Sequence, residues 1–220
     1  MSSHHIVRDD QEPALIIANG AACSQQLLAE LLEWSPFVIV LDAAMERVME
    51  LDLKVDVLLG DFDADFDPLF YKTEQYPIEI IHTPDQNKTD LEKAFDYLIE
   101  RKIPAVNVIW ATGRRADHTI SNITNIAKYR NLLKIVILDD YSKIFLLANT
   151  FQKWYTKNTI ISLIPIGEVK GITTENLYYT ITDESLTMGY KSGNSNHVAA
   201  DGIVKITHDS GDLLLMECND

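Results

Sequence analysis

The first 140 residues alternate between short apolar segments and amphipathic segments, and no other feature constrains the fold as much. The apolar segments are continuously hydrophobic, which is typical of strands buried on both faces. We predict six such strands: Ala14–Asn19, Phe37–Asp42, Val55–Gly60, Ile78–His82, Ala105–Ala111 and Lys134–Asp140. Strands that alternate with helices predict a mostly parallel sheet with helices on both faces.

Three of the intervening segments have helical spacing. Residues 24–34 carry leucines on one face of the predicted helix. Residues 89–102 begin with a capping box formed by Thr89 and Glu92, and their buried side chains are Leu91, Phe95 and Leu98. Residues 118–131 repeat isoleucine at the same period, at Ile120, Ile123 and Ile126. We expect each of these faces to pack against the sheet.

The alternation of predicted strands and helices ends after about residue 141. Short apolar segments follow one another with turn signals and glycines between them, at residues 143–149, 158–167, 176–182, 184–189, 202–208 and 212–218. Closely spaced short strands favour an antiparallel sandwich. We therefore expect an α/β domain with a mostly parallel sheet over residues 1–141, followed by an all-β sandwich domain over residues 142–220.

Composition and charge exclude several functional classes. The net charge of −14 argues against a nucleic-acid partner, because such partners require a basic face. The apolar segments are too short to span a membrane and no secretory leader is present, so we expect a cytoplasmic protein with no membrane partner. Cys23 and Cys218 lack the spacing of a zinc site, which predicts two idle or buried thiols.

Carboxylates follow the predicted strands of the first domain. Four aspartates occur within seven residues after the third strand, in the sequence LLGDFDADFD. Others follow the neighbouring strands, at Asp42, Asp85, Asp90, Asp117, Asp139 and Asp140. In parallel sheets, ligands bind beyond the carboxyl ends of the strands, so these acids should converge on one edge. Any single aspartate is better explained as a loop or capping residue, but the whole set suits Mg²⁺ and phosphoryl chemistry.

The segment TGRRADH at residues 112–118 supplies positive charge at the same edge. Its arginines precede a predicted helix, and arginine binds phosphate oxygens with paired donors. A loop with both Arg115 and Asp117 can hold a phosphate and a metal together. The P-loop and the GxGxxG turn are both missing, so a bound nucleotide would be held in another way.

Four motifs, LLGDFDAD, PDQNKTDLEKA, GRRADHTISN and GNSN, occur in the order and spacing found in thiamine pyrophosphokinases, and the chain resembles this family over nearly its whole length. The resemblance implies an enzyme that transfers a diphosphoryl group from ATP to the hydroxyl of thiamine, giving thiamine diphosphate and AMP, with Mg²⁺ as cofactor. It also implies a homodimer. Its active site would lie where the α/β domain of one subunit meets the β-sandwich of the other.

The resemblance also assigns roles to individual residues. The catalytic and metal-binding positions are the acids Asp61, Asp63, Asp90 and Asp117. The positions for ATP or phosphate are Asp42, Gln86, Thr89 and Arg115. The positions for thiamine, in the second domain, are Tyr179, Ser195 and Asn196. Tyr179 stands where many relatives carry a tryptophan against the thiamine rings, and an aromatic face suits the cationic thiazolium.

The chain departs from the family pattern at four further residues: Ala43 and Ala44 replace glycines, Ala64 replaces a serine and Asn87 replaces an aspartate. With these four replacements, an altered substrate preference and a lower activity both stay open. Two alternative functions therefore stay open. One is a haloacid-dehalogenase-like phosphatase, whose site also opens with two aspartates after an apolar strand. The other is a nucleotide- or thiamine-binding module without turnover.

Overall fold

A computed structural model of the chain describes residues 13–62 and 67–219. The chain divides into two compact units. The first contains the chain up to Asn125 together with Tyr129–Asp139, and the second contains Ile126–Lys128 and the chain from Asp140 onward.

The first unit is built on six parallel strands in the order β4-β3-β2-β1-β5-β6. Their bounds are β1 Ala14–Ile17, β2 Val38–Leu41, β3 Val57–Gly60, β4 Glu79–His82, β5 Ala105–Ile109 and β6 Lys134–Leu138. Five of the strands consist mostly of buried residues, and β4 is more exposed because it lies at the sheet edge. The predicted parallel sheet is confirmed.

Helices connect the strands of this unit. They are α1 Gln25–Leu32, α2 Met45–Met49, α3 Pro68–Glu74, α4 Asp90–Glu100 and α5 Ala116–Lys128, and a 3₁₀ turn, Asp42–Ala44, precedes α2. The capping box at the start of α4 is present: the Thr89 side chain accepts from the backbone N–H of Glu92, and the Glu92 carboxylate accepts from the backbone N–H of Thr89 at 3.0 Å. Leu91, Phe95 and Leu98 of α4 are buried, as the periodicity predicts.

The isoleucine repeat of α5 is only partly buried. Ile126 is 2% exposed, whereas Ile120 is 58% exposed. Two consecutive steps of three residues drift backward around a helix that needs 3.6 residues per turn. The stripe that was predicted to be wholly buried therefore leaves the core at its N-terminal end.

Strand order places a crevice at the carboxyl edge of the sheet. The chain builds outward from β1 through β2, β3 and β4, and then returns to add β5 on the other side of β1. The strand order therefore switches between β1 and β5. Such a switch in strand order is where open α/β sheets bind ligands.

The second unit is an antiparallel β-structure. Within residues 140–219 its strands are β7 Ser142–Leu146, β8 Thr150–Tyr155, β9 Ile160–Glu175, β10 Glu184–Thr187, β11 Gly193–His197, β12 Gly202–Thr207 and β13 Ser210–Cys218. The 16-residue strand β9 pairs with β11 at its start and with β13 as far as Lys170, and its second half pairs with β10 and then β12. β7 and β8 extend the sheet from β13 and β12.

A core of buried aliphatic side chains, among them Ile161, Leu163, Val204 and Leu215, holds this unit together. The predicted sandwich is confirmed, but not every strand lies where expected. Residues 176–182 form a loop with an isolated bridge at Leu177, where we predicted a strand. Strands β8 and β11 were not predicted, because their sequences are rich in polar residues.

Cys23 and Cys218 are not in a disulfide within the described residues, and both side chains are partly buried. Among the described helices, none combines the length and the apolar character needed to cross a membrane.

Candidate active site

A cavity of about 480 Å³ opens at the carboxyl edge of the parallel sheet. The loops that follow β1, β2, β3, β4 and β5 all contribute to it. Its polar lining consists of Asn19, Asp61, Gln86, Lys88, Thr89, Asp90, Lys93, Arg114, Arg115, His118 and Asn122. Five residues that sequence reasoning assigned to catalysis or nucleotide binding, Asp61, Gln86, Thr89, Asp90 and Arg115, thus lie around one cavity.

Asp61 directly follows the last residue of β3. Its carboxylate accepts a hydrogen bond from Gln86 Nε2 at 2.8 Å, and its backbone carbonyl lies 3.1 Å from His82 Nε2. The hydrogen bond from Gln86 is the main cause of a pKa below the ordinary value for the Asp61 carboxyl. Asp61 is therefore ionised at neutral pH and can bind a cation.

Asp90 occupies the first position of α4, and Lys93 lies one turn later. The Lys93 ammonium donates to Asp90 Oδ1 at 3.0 Å and to the Thr83 carbonyl at 2.8 Å. Lys93 is 8% exposed, so its charge is buried beside the cavity and paired with the acid. The ammonium thereby fixes the Asp90 carboxylate relative to the loop that follows β4.

Asp42 follows β2 and stabilises the start of the loop after β3. Its Oδ2 accepts from the backbone N–H of Phe62 at 2.9 Å. A Cβ atom at Gly60 would lie 2.2 Å from Asp42 Cβ, which is far inside van der Waals contact. Glycine at position 60 therefore lets the β2 and β3 loops approach each other.

Arg115 and Asp117 pair with each other. Arg115 Nη2 lies 2.5 Å from Asp117 Oδ2, and Arg115 Nε lies 3.1 Å from Oδ1. The hydrogen bond from Arg115 lowers the pKa of Asp117 to about 2. Arg115 lines the cavity but Asp117 is not among its lining residues.

The acids that line the cavity fit Mg²⁺ in type, since the ion takes oxygen ligands and needs only one or two carboxylates beside water and phosphate. Asp61 and Asp90 supply such carboxylates from two different loops. Within residues 13–62 and 67–219, no three histidine, cysteine, aspartate or glutamate side chains form a group that could hold a metal. Asp63, the remaining predicted ligand, lies outside the described residues.

The three residues predicted to contact thiamine are neighbours in the second unit. Asn196 is 3% exposed, and its amide accepts from the Tyr179 N–H at 3.0 Å and donates to the Tyr179 carbonyl at 2.7 Å. Ser195 lies in strand β11 and not in a loop, and its N–H donates to Ser162 Oγ at 2.9 Å. Asn196 thus holds the backbone of Tyr179 in place.

An exposed aromatic cluster surrounds Tyr179. The Tyr178 and His197 rings stack with centroids 4.6 Å apart, and the Tyr179 ring meets Tyr178 edge to face at 4.9 Å. Both tyrosines are 62% exposed. Sequence reasoning found Tyr179 but missed its two ring partners, because His197 is brought to Tyr178 by a long-range backbone hydrogen bond, from the Tyr178 N–H to the His197 carbonyl, beside the bridge between Leu177 and Val198.

Sequence reasoning also missed Asn19, Lys93 and Arg114 in the cavity. Arg114 had a signal, since it stands beside Arg115 in the same loop. The signal for Lys93 was weak, because it consisted only of a lysine among the buried positions of an amphipathic helix. Asn19 follows an ordinary strand and carried no signal.

Comparison with protein families agrees with this architecture. A model described as the thiamin pyrophosphokinase catalytic domain matches residues 28–137, and one described as the thiamin pyrophosphokinase vitamin B1 binding domain matches residues 149–213. The chain belongs to the thiamin pyrophosphokinase family. The family resemblance inferred from the four sequence motifs is therefore confirmed.

Individual members of the thiamin pyrophosphokinase family show how far this chain has diverged. It is 30% identical over 171 residues to thiamine pyrophosphokinase 1 of Oryza sativa, covering 71% of this chain and 64% of the rice protein. It is 26% identical over 136 residues to the Bacillus subtilis thiamine pyrophosphokinase, covering 59% of this chain and 63% of that protein. The chain thus matches somewhat less than two thirds of each of these relatives.

Solved structures of thiamin pyrophosphokinases share the fold. The crystal structure of the Bacillus subtilis enzyme matches with a TM-score of 0.79 and 20% identity, over 94% of this chain and 99% of that one. The yeast enzyme matches with a TM-score of 0.81 and 17% identity, over 98% of this chain and 88% of that one. The order of an α/β part followed by a β-rich part is thus shared with these proteins.

Proposed function

We propose that the chain transfers a diphosphoryl group from ATP to the hydroxyl of thiamine, giving thiamine diphosphate and AMP. The main support is that the two family matches, to a catalytic and a vitamin B1 binding domain, together span residues 28–137 and 149–213. The cavity adds independent support, because it combines acids and bases at the strand-order switch of a parallel sheet. We assign the binding of ATP to the domain of residues 1–141 and the binding of thiamine to the domain of residues 142–220.

The nucleotide would bind in the cavity of the first unit. The N-terminus of α4 reaches the cavity through Thr89, Asp90 and Leu91, and a helix N-terminus favours anionic groups. Gln86 lies beside it and is anchored to Asp61, which fixes the direction of its amide. Thr89 acts through the capping box, which fixes where the helix begins.

Asp61 and Asp90 would hold Mg²⁺, and Asp63 and Asp117 are the further candidates from the family resemblance. When bound, the ion neutralises phosphate oxygens of ATP. Asp42 supports the loop that carries Asp61, through the Phe62 N–H. Arg115 is a further candidate phosphate contact, although its charge is shared with Asp117.

The transfer forms one bond and breaks one. The thiamine hydroxyl oxygen attacks the β-phosphorus of ATP, the bond between the β-phosphorus and the oxygen bridging to the α-phosphorus breaks, and AMP leaves. The hydroxyl proton passes to a carboxylate, for which Asp61 and Asp90 are the candidates.

Thiamine would bind at the aromatic cluster of the second unit. The exposed face of Tyr179 suits a cationic thiazolium, and Asn196 holds the Tyr179 backbone. We further infer that the chain acts as a homodimer with its active site at the subunit interface, which sedimentation equilibrium would test. We place the enzyme in the cytoplasm, where cysteines such as Cys23 and Cys218 stay reduced.

The decisive experiment measures AMP and thiamine diphosphate formed from ATP and thiamine. We expect product only when both substrates and Mg²⁺ are present, and we expect EDTA to abolish it. Asp90→Asn should reduce turnover at least about 100-fold, within the range for removing an acid-base group. The matched control is Asp52→Asn, an exposed aspartate with φ of 52° in a turn outside the cavity, which should retain full activity.

Each alternative function predicts a different result in this assay. Release of phosphate without ATP, from a phosphate ester, would favour the phosphatase. Binding of ATP or thiamine with no AMP formed would favour a binding module. Equal turnover of Asp90→Asn and the parent protein would contradict the assigned site.

A further inference from the structure

Three of the four lysines and arginines that line the cavity are neutralised by carboxylates. Lys93 lies 3.0 Å from Asp90, and Lys88 lies 2.7 Å from Asp96. The third is Arg115, at 2.5 Å from Asp117. The positive charge of each of these three side chains is already partly compensated by a carboxylate of the protein. An anion that binds in the cavity must therefore compete with that carboxylate.

Arg114 is the exception. Its Nη1 donates to the backbone carbonyl of Asn19 at 3.2 Å and to Asn19 Oδ1 at 3.0 Å. Both acceptors are neutral oxygens. Within residues 13–62 and 67–219 the Arg114 guanidinium pairs with no carboxylate, so its full positive charge faces the cavity.

A second arginine converges on the same asparagine. Arg47 Nη1 lies 3.3 Å from Asn19 Oδ1 and 2.9 Å from the Gly20 carbonyl, and its guanidinium lies 4.3 Å from the centre of the Trp110 ring. In the described part of the chain, Arg47 likewise has no carboxylate partner. The guanidinium groups of Arg47 and Arg114 therefore donate to the same amide oxygen, Asn19 Oδ1, although their like charges repel each other. They form this cationic pair in a chain whose net charge is −14.

The backbone around this pair is closely fitted. A Cβ at Gly20 would lie 2.3 Å from the carbonyl oxygens of Trp110 and Thr112, so the loops after β1 and β5 touch at this point. Gly113 and Arg114 both adopt the left-handed region, with φ of 71° and 53°. A non-glycine residue with this φ is uncommon, and the turn directs Arg114 back over Asn19.

We propose that Arg114, supported by Arg47 and Asn19, binds the polyphosphate of the nucleotide and is a specificity-determining residue for it. Arg47 keeps Asn19 and Gly20 in place, and Arg114 presents the uncompensated charge to the anion. The subsite is distinct from Arg115, whose charge is shared with Asp117. The identity of the ligand as a nucleotide rests on the proposed function, whereas recognition of a polyphosphate does not.

Calorimetric titration of the full chain tests the subsite with two probes, ATP and inorganic tripolyphosphate, each with and without Mg²⁺. The variants are Arg114→Gln and Arg114→Gly. Glycine suits the left-handed backbone at this position, so Arg114→Gly removes the charge without straining the fold. The control is Lys102→Gln, which removes an exposed cation just after the far end of α4.

We expect both Arg114 variants to bind both probes about 10- to 100-fold more weakly, the loss typical of one charge-assisted hydrogen bond to an anion. Lys102→Gln should bind as the parent protein does. Unchanged affinity of Arg114→Gly for tripolyphosphate would overturn the proposal. Weaker binding of ATP alone would overturn it too, because the arginine would then contact the nucleoside.

The result is independent of the test of the proposed function. If the parent protein forms AMP from ATP and thiamine while Arg114→Gly binds tripolyphosphate normally, the subsite is wrong and the function stands. If tripolyphosphate binding depends on Arg114 but no AMP is formed, the subsite stands and the function is wrong.

Discussion

Replacement of Glu217 by glutamine tests how the second unit tolerates buried charge. The Glu217 carboxylate has 17% of its side-chain surface exposed and accepts hydrogen bonds from Tyr155 Oη at 2.5 Å and Lys153 Nζ at 2.6 Å. Lys143 Nζ lies 3.7 Å from its other oxygen, and the Lys143 side chain is 21% exposed. Burial lowers the pKa of the Lys143 ammonium, and the negative charge of Glu217 acts in the opposite direction.

Glu217→Gln keeps the shape and removes the charge. Removing the charge of the acceptor weakens the hydrogen bonds from Tyr155 and Lys153 by about 1 kcal/mol each. The Lys143 ammonium then remains half-buried without a counter-charge, which adds about 1–2 kcal/mol, less than the full penalty for a deeply buried pair. We expect the free energy of unfolding to fall by about 2–4 kcal/mol at pH 7.

Urea unfolding followed by tryptophan fluorescence measures this change. The matched control is Glu168→Gln, which breaks an exposed ion pair with Lys170 at 3.1 Å and should cost less than about 0.5 kcal/mol. Lys143→Met in the Glu217→Gln background should recover part of the loss, because it removes the uncompensated charge. Equal effects of Glu217→Gln and Glu168→Gln would refute the reasoning.

The difference between parent and Glu217→Gln should also depend on pH. Burial acts to raise the pKa of Glu217, but Lys143 and the hydrogen bonds from Lys153 and Tyr155 outweigh it, so the folded-state pKa lies below the ordinary 4.5. The stabilisation is therefore full above pH 4.5 and disappears as the pH falls through the lower folded-state value. A difference that stays constant down to pH 2 would contradict a role for the ionised carboxylate.

Two further predictions concern the cavity. Lys93→Met should lower kcat at least about tenfold and reduce the free energy of unfolding by about 2–3 kcal/mol, because Asp90 and the Thr83 carbonyl lose their shared donor. Lys93→Arg keeps the positive charge and should restore kcat more fully than it restores the free energy of unfolding. Gly60→Ala should cost about 1–3 kcal/mol in urea unfolding and weaken Mg²⁺-ATP binding in titrations, because its Cβ displaces Asp42. Parent-like kcat for Lys93→Met, or a parent-like melting curve for Gly60→Ala, would disprove the corresponding prediction.

The sequence alone determined the strands and most helices of the first unit. Six apolar segments form the six parallel strands, and five of these strands are mostly buried, because a strand covered on both faces needs apolar side chains on both. Thr89 and Glu92 located the start of α4, because a capping box is a local hydrogen-bond pattern. Local rules failed for β8 and β11, whose polar sequences become strands only through pairing with β12 and β9.

The sequence also located the acids and predicted that they follow successive strands. Asp61, Gln86, Thr89, Asp90 and Arg115 all line one cavity, because parallel strands end at the same edge. Which charges are free was decided by the tertiary structure. Adjacent arginines look equivalent in the sequence, yet Arg115 pairs with Asp117 while Arg114 lies over Asn19.

The sequence and the tertiary structure determine different features because the interactions involved span different distances along the chain. Hydrophobic periodicity, caps and strand ends depend on residues a few positions apart, so a single sequence carries them. The contact between Arg114 and Asn19 joins residues 95 positions apart, and the one between Glu217 and Lys153 joins residues 64 apart. Such pairs exist only after β5 has docked beside β1 and the strands of the second unit have paired, so only the folded chain decides which charges remain for a ligand.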